Sequence, residues 1–149
     1  MPHISYTSPI GPLCLFEDDG QIIALDWGWP SSEEPTPLLE EAREQLLAYF
    51  TGKLKVFDLP LKPFGTAFQV KVWMELSSIP FGQVETYGQF ATRLGTSPRA
   101  VGGALGRNPL PILIPCHRVI GSNHGLGGYS GWDGVETKRF LLKHEGVSL

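Results

Sequence analysis

Residues 86–109 read TYGQFATRLGTSPRAVGGALGRNP, and they are punctuated as two short helices around a tight turn. Thr86 with Gln89 three residues on is a capping box. The threonine side chain takes an orphan backbone N–H and the glutamine reaches back to the cap. Ser97 followed by Pro98 starts a second helix, serine as the cap and proline at the first helical position. That helix runs through AVGGALGR and stops at Asn108-Pro109. A helix, a short Gly-containing turn and a second helix make the pattern of a helix-turn-helix, in which the start of the second helix meets DNA. Arg99 sits at that start. The second helix also carries Gly102, Gly103 and Gly106. Each glycine costs roughly 0.8–1 kcal/mol of helix stability relative to alanine. Three together imply close approach, either to the core, to another backbone or to DNA.

The same punctuation extends outward. Thr66 and Gln69 form a capping box before VKVWMEL, and Asp133 with Glu136 is an acidic variant before TKRFLLKHE. Upstream, the pattern changes. IGPLCLFEDDGQIIALDW places two apolar segments around Asp18-Asp19-Gly20, a hairpin signal. Cys14 lies inside the first segment and reads as a buried apolar cysteine. WGWPSSEEPTP is a polar, Pro-rich loop. PLLEEAREQLLAYFTG is an amphipathic helix with Leu39, Ala42, Leu46, Leu47 and Phe50 on one stripe and Gly52 near its end. KLKVFDLPL reads as a strand. Composition changes around Leu61 to Phe64, which divides the chain into an α/β domain, 1–62, and a mostly α domain, 63–149.

Charge follows the same division. The whole chain of 149 residues carries −3. Residues 1–62 hold four Lys and Arg against ten carboxylates, whereas 63–149 hold eight against five, or −6 and +3. One half suits a polyanion and the other suits water. Hydrophobic residues make up 42% of the chain, enough for one good core or two small ones. No apolar run is long enough for a bilayer. The start, MPHISYTSPIGPLCLF, lacks the layout of a signal peptide. The expectation is a cytoplasmic protein with Cys14 and Cys116 reduced and unpaired. His3 and Cys14 do not amount to four zinc ligands, so no metal is expected. His3, His124 and His144 have no partner pattern and read as surface or satisfied residues. Trp27, Trp29 and Trp73 read as core or loop packing, with Trp132 the one to watch.

The chemistry concentrates in PLPILIPCHRVI, 109–120. Prolines on both sides of ILI stiffen the backbone. Burial alone leaves a thiol inert, while a nearby imidazole and guanidinium favour the thiolate, the most nucleophilic side chain once ionised. On two residues alone, Cys116-His117 reads as a core cysteine beside a surface histidine, because neighbours on a strand face opposite ways.

More than two residues match, however. PCHRV within NPLPILIPCHRVI resembles the active-site signature of the O6-alkylguanine-DNA alkyltransferases, the methylated-DNA–protein-cysteine methyltransferases. GTAFQVKVW, IPFGQVETYGQFA, RAVGGALGRNP, GLGGYSG and FLLKHEG resemble that family's further segments in order, from Gly65 to Gly146. Residues 1–62 match in general character only. The resemblance implies a ribonuclease-H-like α/β N-terminal domain and a mostly α C-terminal domain with a winged-helix-like helix-turn-helix. It implies a single-turnover DNA repair transferase acting as a monomer on double-stranded DNA that contains O6-alkylguanine, with no cofactor and no membrane. Cys116 is then the nucleophile, His117 the group that helps deprotonate it through a bridging water, and Glu145 the acid that orients His117. The target base is flipped out of the stack, with Arg99 taking its place. Tyr87 lines the pocket and donates to guanine N3. The carbonyls of Val119 and Cys116 accept from the exocyclic amine. The Ser130 N–H donates to O6, and Tyr129 forms a wall. Asn108 ties the recognition helix to the cysteine loop, and Arg118 is a structural residue paired with a carboxylate.

Glu145 brings one independent hint, since a carboxylate at a helix C-terminus faces the unfavourable end of the dipole and calls for a partner. The turn in GTSPRAVG is about two residues shorter than in many relatives, which bears on how Arg99 enters a duplex. Three rival readings differ in what they leave unexplained. An alkyltransferase-like lesion binder would lack Cys116. A helix-turn-helix regulator does not account for Cys-His-Arg in its apolar frame. A cysteine hydrolase needs an oxyanion hole and a separate histidine.

Overall fold

The computed structural model describes residues 1–28, 32–121, 125 and 134–148. They form two compact units, Met1–Phe64 and Gly65–Leu149.

The first unit is an antiparallel meander of β1 (His3–Ser8), β2 (Gly11–Asp18) and β3 (Gln21–Trp27), with helix α1 (Pro37–Phe50) packed on β1 and β2. Asp19 and Gly20 make the β2–β3 turn with φ of 50° and 75°. Two consecutive left-handed residues match the twist of a two-residue hairpin, which is why Asp-Gly stands there. Register pairs Leu15 with Ile4 on one side and Leu25 on the other, so three buried apolar side chains line up across the sheet. Cys14 lies between Ser5 and Asp26, is buried, and has its thiol pKa pushed up by burial and by the Asp26 and Glu33 carboxylates.

Three features differ from the sequence expectations. Strand β1 is an addition, because HISYTS shows little alternation: Ile4 and Ser8 are its buried residues. On α1 the buried face is Leu39, Ala42, Leu46 and Tyr49, while Leu47 is exposed. The row that faces the sheet is thus spaced three, four, three; Leu47 lies off it, and Phe50 stacks on Tyr6 at 6.3 Å. KLKVFDLPL is not a strand. Its backbone is met by a side chain instead: Gln45 Nε2 donates to the Asp58 carbonyl (3.0 Å) and the Asp58 N–H donates to Gln45 Oε1 (2.9 Å). One amide reproduces both bonds a neighbouring strand would give, and among the described residues an isolated bridge, Ile22 to Leu61, joins the segment to the sheet.

The second unit contains α2 (Ala67–Leu76), β4 (Glu85–Thr86), α3 (Tyr87–Leu94), α4 (Pro98–Leu105), a 3-10 turn (Cys116–Arg118), β5 (Val119–Ile120) and α5 (Val135–His144). Both Thr-x-x-Gln capping boxes form, at Thr66–Gln69 and Thr86–Gln89. Ser97 caps α4 by accepting from the Ala100 N–H. Gly95 closes α3 in the left-handed conformation, φ 72°, and the Thr96 N–H reaches the Ala91 carbonyl at 2.9 Å. Three residues, Gly95 to Ser97, therefore connect the two helices of the helix-turn-helix. Helix α4 ends at Leu105, capped by Gly106, short of Asn108. Trp73 is buried in α2 and donates from Nε1 to the Ala104 carbonyl (2.8 Å), tying α2 to the end of α4. Gly65 makes room for it, since a Cβ there would lie 2.5 Å from the indole. Helix α5 starts at Val135 with Gly134 as its cap; the expected cap, Asp133, lies outside the described residues. Among the described residues no helix is long and apolar enough to cross a membrane.

Candidate active site

The backbone that delivers Cys116 is bent three times in six residues. Ile112 has φ 75°, an uncommon conformation for a β-branched residue, and is buried. The Ile114 N–H closes the turn onto the Leu110 carbonyl at 2.8 Å. Pro115, at φ −80° and ψ 65°, is the centre of an inverse γ-turn whose bond runs from the Cys116 N–H to the Ile114 carbonyl, 2.8 Å. Asn108 braces the whole bend. Its Nδ2 donates to the Ile114 carbonyl (3.0 Å) and its Oδ1 accepts from the Leu110 N–H (2.9 Å).

Cys116, His117 and Arg118 then form one 3-10 turn rather than a strand. With about three residues per turn, consecutive side chains diverge by about 120° instead of alternating. Hence His117 and Arg118 can both reach the same carboxylate. His117 Nε2 lies 2.8 Å from Glu145 Oε2, Arg118 Nε lies 2.8 Å from Oε1, and Arg118 Nη2 lies 3.0 Å from Oε2. Arg118 Nη1 also donates to the Ile79 carbonyl at 2.7 Å, just beyond the end of α2. Glu145 caps the C-terminus of α5, where the helix dipole disfavours it. The guanidinium fork and the imidazole N–H offset that cost. All three side chains are buried, His117 completely.

The tautomer of His117 follows from these bonds. An ionised carboxylate only accepts, so Nε2 carries the proton and a neutral imidazole presents a lone pair at Nδ1. That Nδ1 is buried and has no hydrogen-bond partner among the described residues. Burial pushes the His117 pKa down, against the upward pull of Glu145. A base held in one tautomer beside a cysteine is the arrangement that activates a thiol. Cys116 itself is 6% exposed.

Two more residues border the cysteine. Tyr87 opens α3, half-buried, and its pKa is raised by burial and then by Cys116. Lys138, on α5, is fully buried, donates from Nζ to the Val119 carbonyl at 2.6 Å and lies 5.7 Å from the Tyr87 ring centre. Burial lowers its pKa to about 8, while attraction to Cys116 works the other way. Sequence reading missed this lysine. The signal was present: 138, 141, 142 and 145 follow the i, i+3, i+4, i+7 row of a buried helix face, with Leu141 and Leu142 between the two charges.

The structure thus gathers Cys116, His117, Arg118, Val119, Glu145 and Tyr87 in one unit, with Asn108 as brace. Arg118 is spent on Glu145 and Ile79, a structural placement. Arg99 stands apart from this cluster's bonds, exposed in the first turn of α4. Among the described residues, Gly103 is exposed with open space where a Cβ would be, and Gly102 meets Tyr87 alone, at 4.0 Å. Packing against the described residues therefore does not explain either glycine. Tyr129, Ser130 and Trp132 lie outside the described residues.

Two family models match this chain: residues 67–147 fit the 6-O-methylguanine DNA methyltransferase, DNA binding domain, and residues 1–63 its ribonuclease-like domain. The chain belongs to the 6-O-methylguanine DNA methyltransferase family. Among relatives of this methyltransferase family, a methylated-DNA–protein-cysteine methyltransferase of Methanosarcina acetivorans is 43% identical, covering 98% of this chain and 99% of that one. The constitutive one of Bacillus subtilis is 44% identical, covering 95% and 93%. A solved structure of Mycobacterium tuberculosis OGT in complex with DNA superposes with a TM-score of 0.87 at 41% identity, covering 97% of this chain and 92% of that chain. The two-part architecture is therefore that of the family, a ribonuclease-like domain followed by a DNA-binding domain.

Proposed function

We propose that this chain repairs DNA by taking the alkyl group from O6 of guanine onto its own Cys116, once per molecule. The observation that carries the reading is the Glu145-held imidazole, its Nδ1 lone pair open, next in sequence to a cysteine on the same turn. His117 accepts the thiol proton, directly or through a water. The sulfur pair then forms an S–C bond as the C–O6 bond breaks, and the bonding pair stays on guanine, which takes up a proton as it leaves. In this reading Tyr87 donates to that base. A thioether has no ready reverse path, so each molecule acts once.

The helix-turn-helix supplies the grip. Arg99 at the start of α4 fills the stack when the base is flipped, and Gly102 and Gly103 let backbone approach the duplex. The basic unit, 63–149, holds both DNA contact and chemistry. The partner is duplex DNA carrying O6-alkylguanine, met by a monomer in the cytoplasm. Support comes from relatives named as methylated-DNA–protein-cysteine methyltransferases and from the OGT structure with DNA.

Intact mass after incubation with a duplex containing O6-methylguanine tests this. The expected result is a gain of one methyl on the peptide bearing Cys116, absent in Cys116→Ala, which still binds the lesion duplex. Methyl on Cys14, or no gain at all, overturns the assignment.

A further inference from the structure

Among the described residues, Arg118 and His117 share one carboxylate in this site, and the sharing is unequal. Glu145 takes a two-pronged guanidinium bond on both oxygens and an imidazole bond on one. We propose that Arg118 is a positioning residue that sets the charge of His117: by neutralising Glu145 it leaves the carboxylate able to orient the imidazole but unable to hold it as an imidazolium. This rests on the reading of Cys116 as nucleophile and His117 as its base.

A buried carboxylate facing only a histidine draws a proton onto the ring, because opposite charges at hydrogen-bond distance interact strongly in a low-dielectric interior. The result would be a charged imidazole with no lone pair for the thiol proton. A fork-to-fork arginine bond is the strongest pairing available to a carboxylate, and the guanidinium stays charged at every working pH. Arg118 therefore consumes most of the attraction. The charges facing the ring divide by sign. Arg118 from the turn and Lys138 from α5 both disfavour its protonation, Glu145 favours it, and burial tips the balance to neutral. Lys138 in turn lies against Tyr87 of α3 and near Cys116. The anchor on the Ile79 carbonyl keeps the guanidinium in place, so its charge does not wander with side-chain motion.

The test is a titration of the His117 ring by NMR in the full chain, paired with the pH profile of methyl transfer. In the unaltered protein the ring midpoint should lie below the ordinary 6.5 of a histidine, because burial disfavours the charged form. Arg118→Gln should raise the His117 midpoint by about one unit or more, the low end of what an unbalanced nearby charge does. The acid limb of the transfer rate should rise with it. Arg118→Lys keeps the charge while losing the fork, and should leave the midpoint near that of the unaltered protein even if transfer slows. An unchanged midpoint in folded Arg118→Gln overturns the proposal, as does Arg118→Lys behaving like Arg118→Gln. If Arg118→Gln does not fold, the charge-balanced pair Arg118→Gln with Glu145→Gln decides. Its ring should stay neutral at pH 7, and a midpoint above 6.5 overturns the proposal. The ring titration uses no alkyl donor, so it stands or falls separately from the mass measurement on Cys116.

Discussion

Burying an ammonium is costly, and Lys138, fully buried, shows how the cost is met. Its Nζ donates to the Val119 carbonyl, faces the Tyr87 ring and feels Cys116. Even so, burial brings its pKa from 10.5 to about 8. Between those values the unfolded chain keeps a proton that the folded chain has shed, so raising the pH from 8 toward 10 favours the folded state. Cys14, its pKa raised by burial, titrates against this trend in the same window. The informative quantity is therefore a difference. Denaturant unfolding at several pH values should show the unaltered protein gaining stability relative to Lys138→Met as pH rises from 8 to 10; parallel curves would mean that Lys138 keeps its charge in the fold. This lysine also marks the limit of the sequence reading of the site. Cys116, His117 and Glu145 were singled out because two segments, PCHRV and FLLKHEG, resemble the family's. Lys138 was not, because a lysine on a helix is usually solvated. Nor was the carboxylate paired with Arg118, because it lies 27 residues away.

Helix α4 is built against its own stability. Gly103 is helical and exposed, and among the described residues no atom lies within 4 Å of a would-be Cβ. Alanine there should therefore stabilise the isolated protein by about 0.8–1 kcal/mol. The proposed duplex contact reverses the benefit, since the added methyl stands where DNA backbone approaches. Gly103→Ala should raise the unfolding midpoint and weaken duplex binding together. A variant both more stable and equally tight would show that the glycine serves something other than DNA approach. The elements best read from sequence are those whose ends are written in short-range chemistry: the Asp19-Gly20 turn, the two capping boxes and the Ser97-Pro98 start. The elements misread depend on distant partners. Strand β1 exists because β2 offers it a ladder, not because HISYTS alternates. Residues 53–61 look like a strand, yet Gln45 of α1 supplies the bonds that would have completed one. The 3-10 turn at Cys116–Arg118 was invisible too, being set by Pro115 and the Asn108 brace rather than by any periodicity.

At the scale of the molecule, the proposed function asks a chain of net charge −3 to hold a polyanion, and the division of its charge offers a way. The Lys and Arg of residues 63–149 outnumber the carboxylates by three, and Arg118 and Lys138 are buried within that excess. On the proposed function, contact with phosphate therefore falls to exposed cations such as Arg107, just past the C-terminal end of α4. Each phosphate neutralised releases counterions and adds about 0.9 to the slope of log affinity against log salt. Arg107→Ala should lower that slope by about 0.9 and weaken lesion and undamaged duplexes alike. Lys53→Ala, in the acidic unit, should leave the slope alone. Arg99→Ala should differ from both, slowing repair in duplex DNA more than repair of the free base, because its proposed work is done inside the stack. Binding isotherms across a salt series decide among these. If Lys53→Ala flattens the slope as much as Arg107→Ala, the acidic unit shares the phosphate contact, and the division of charge between the two units has no part in docking.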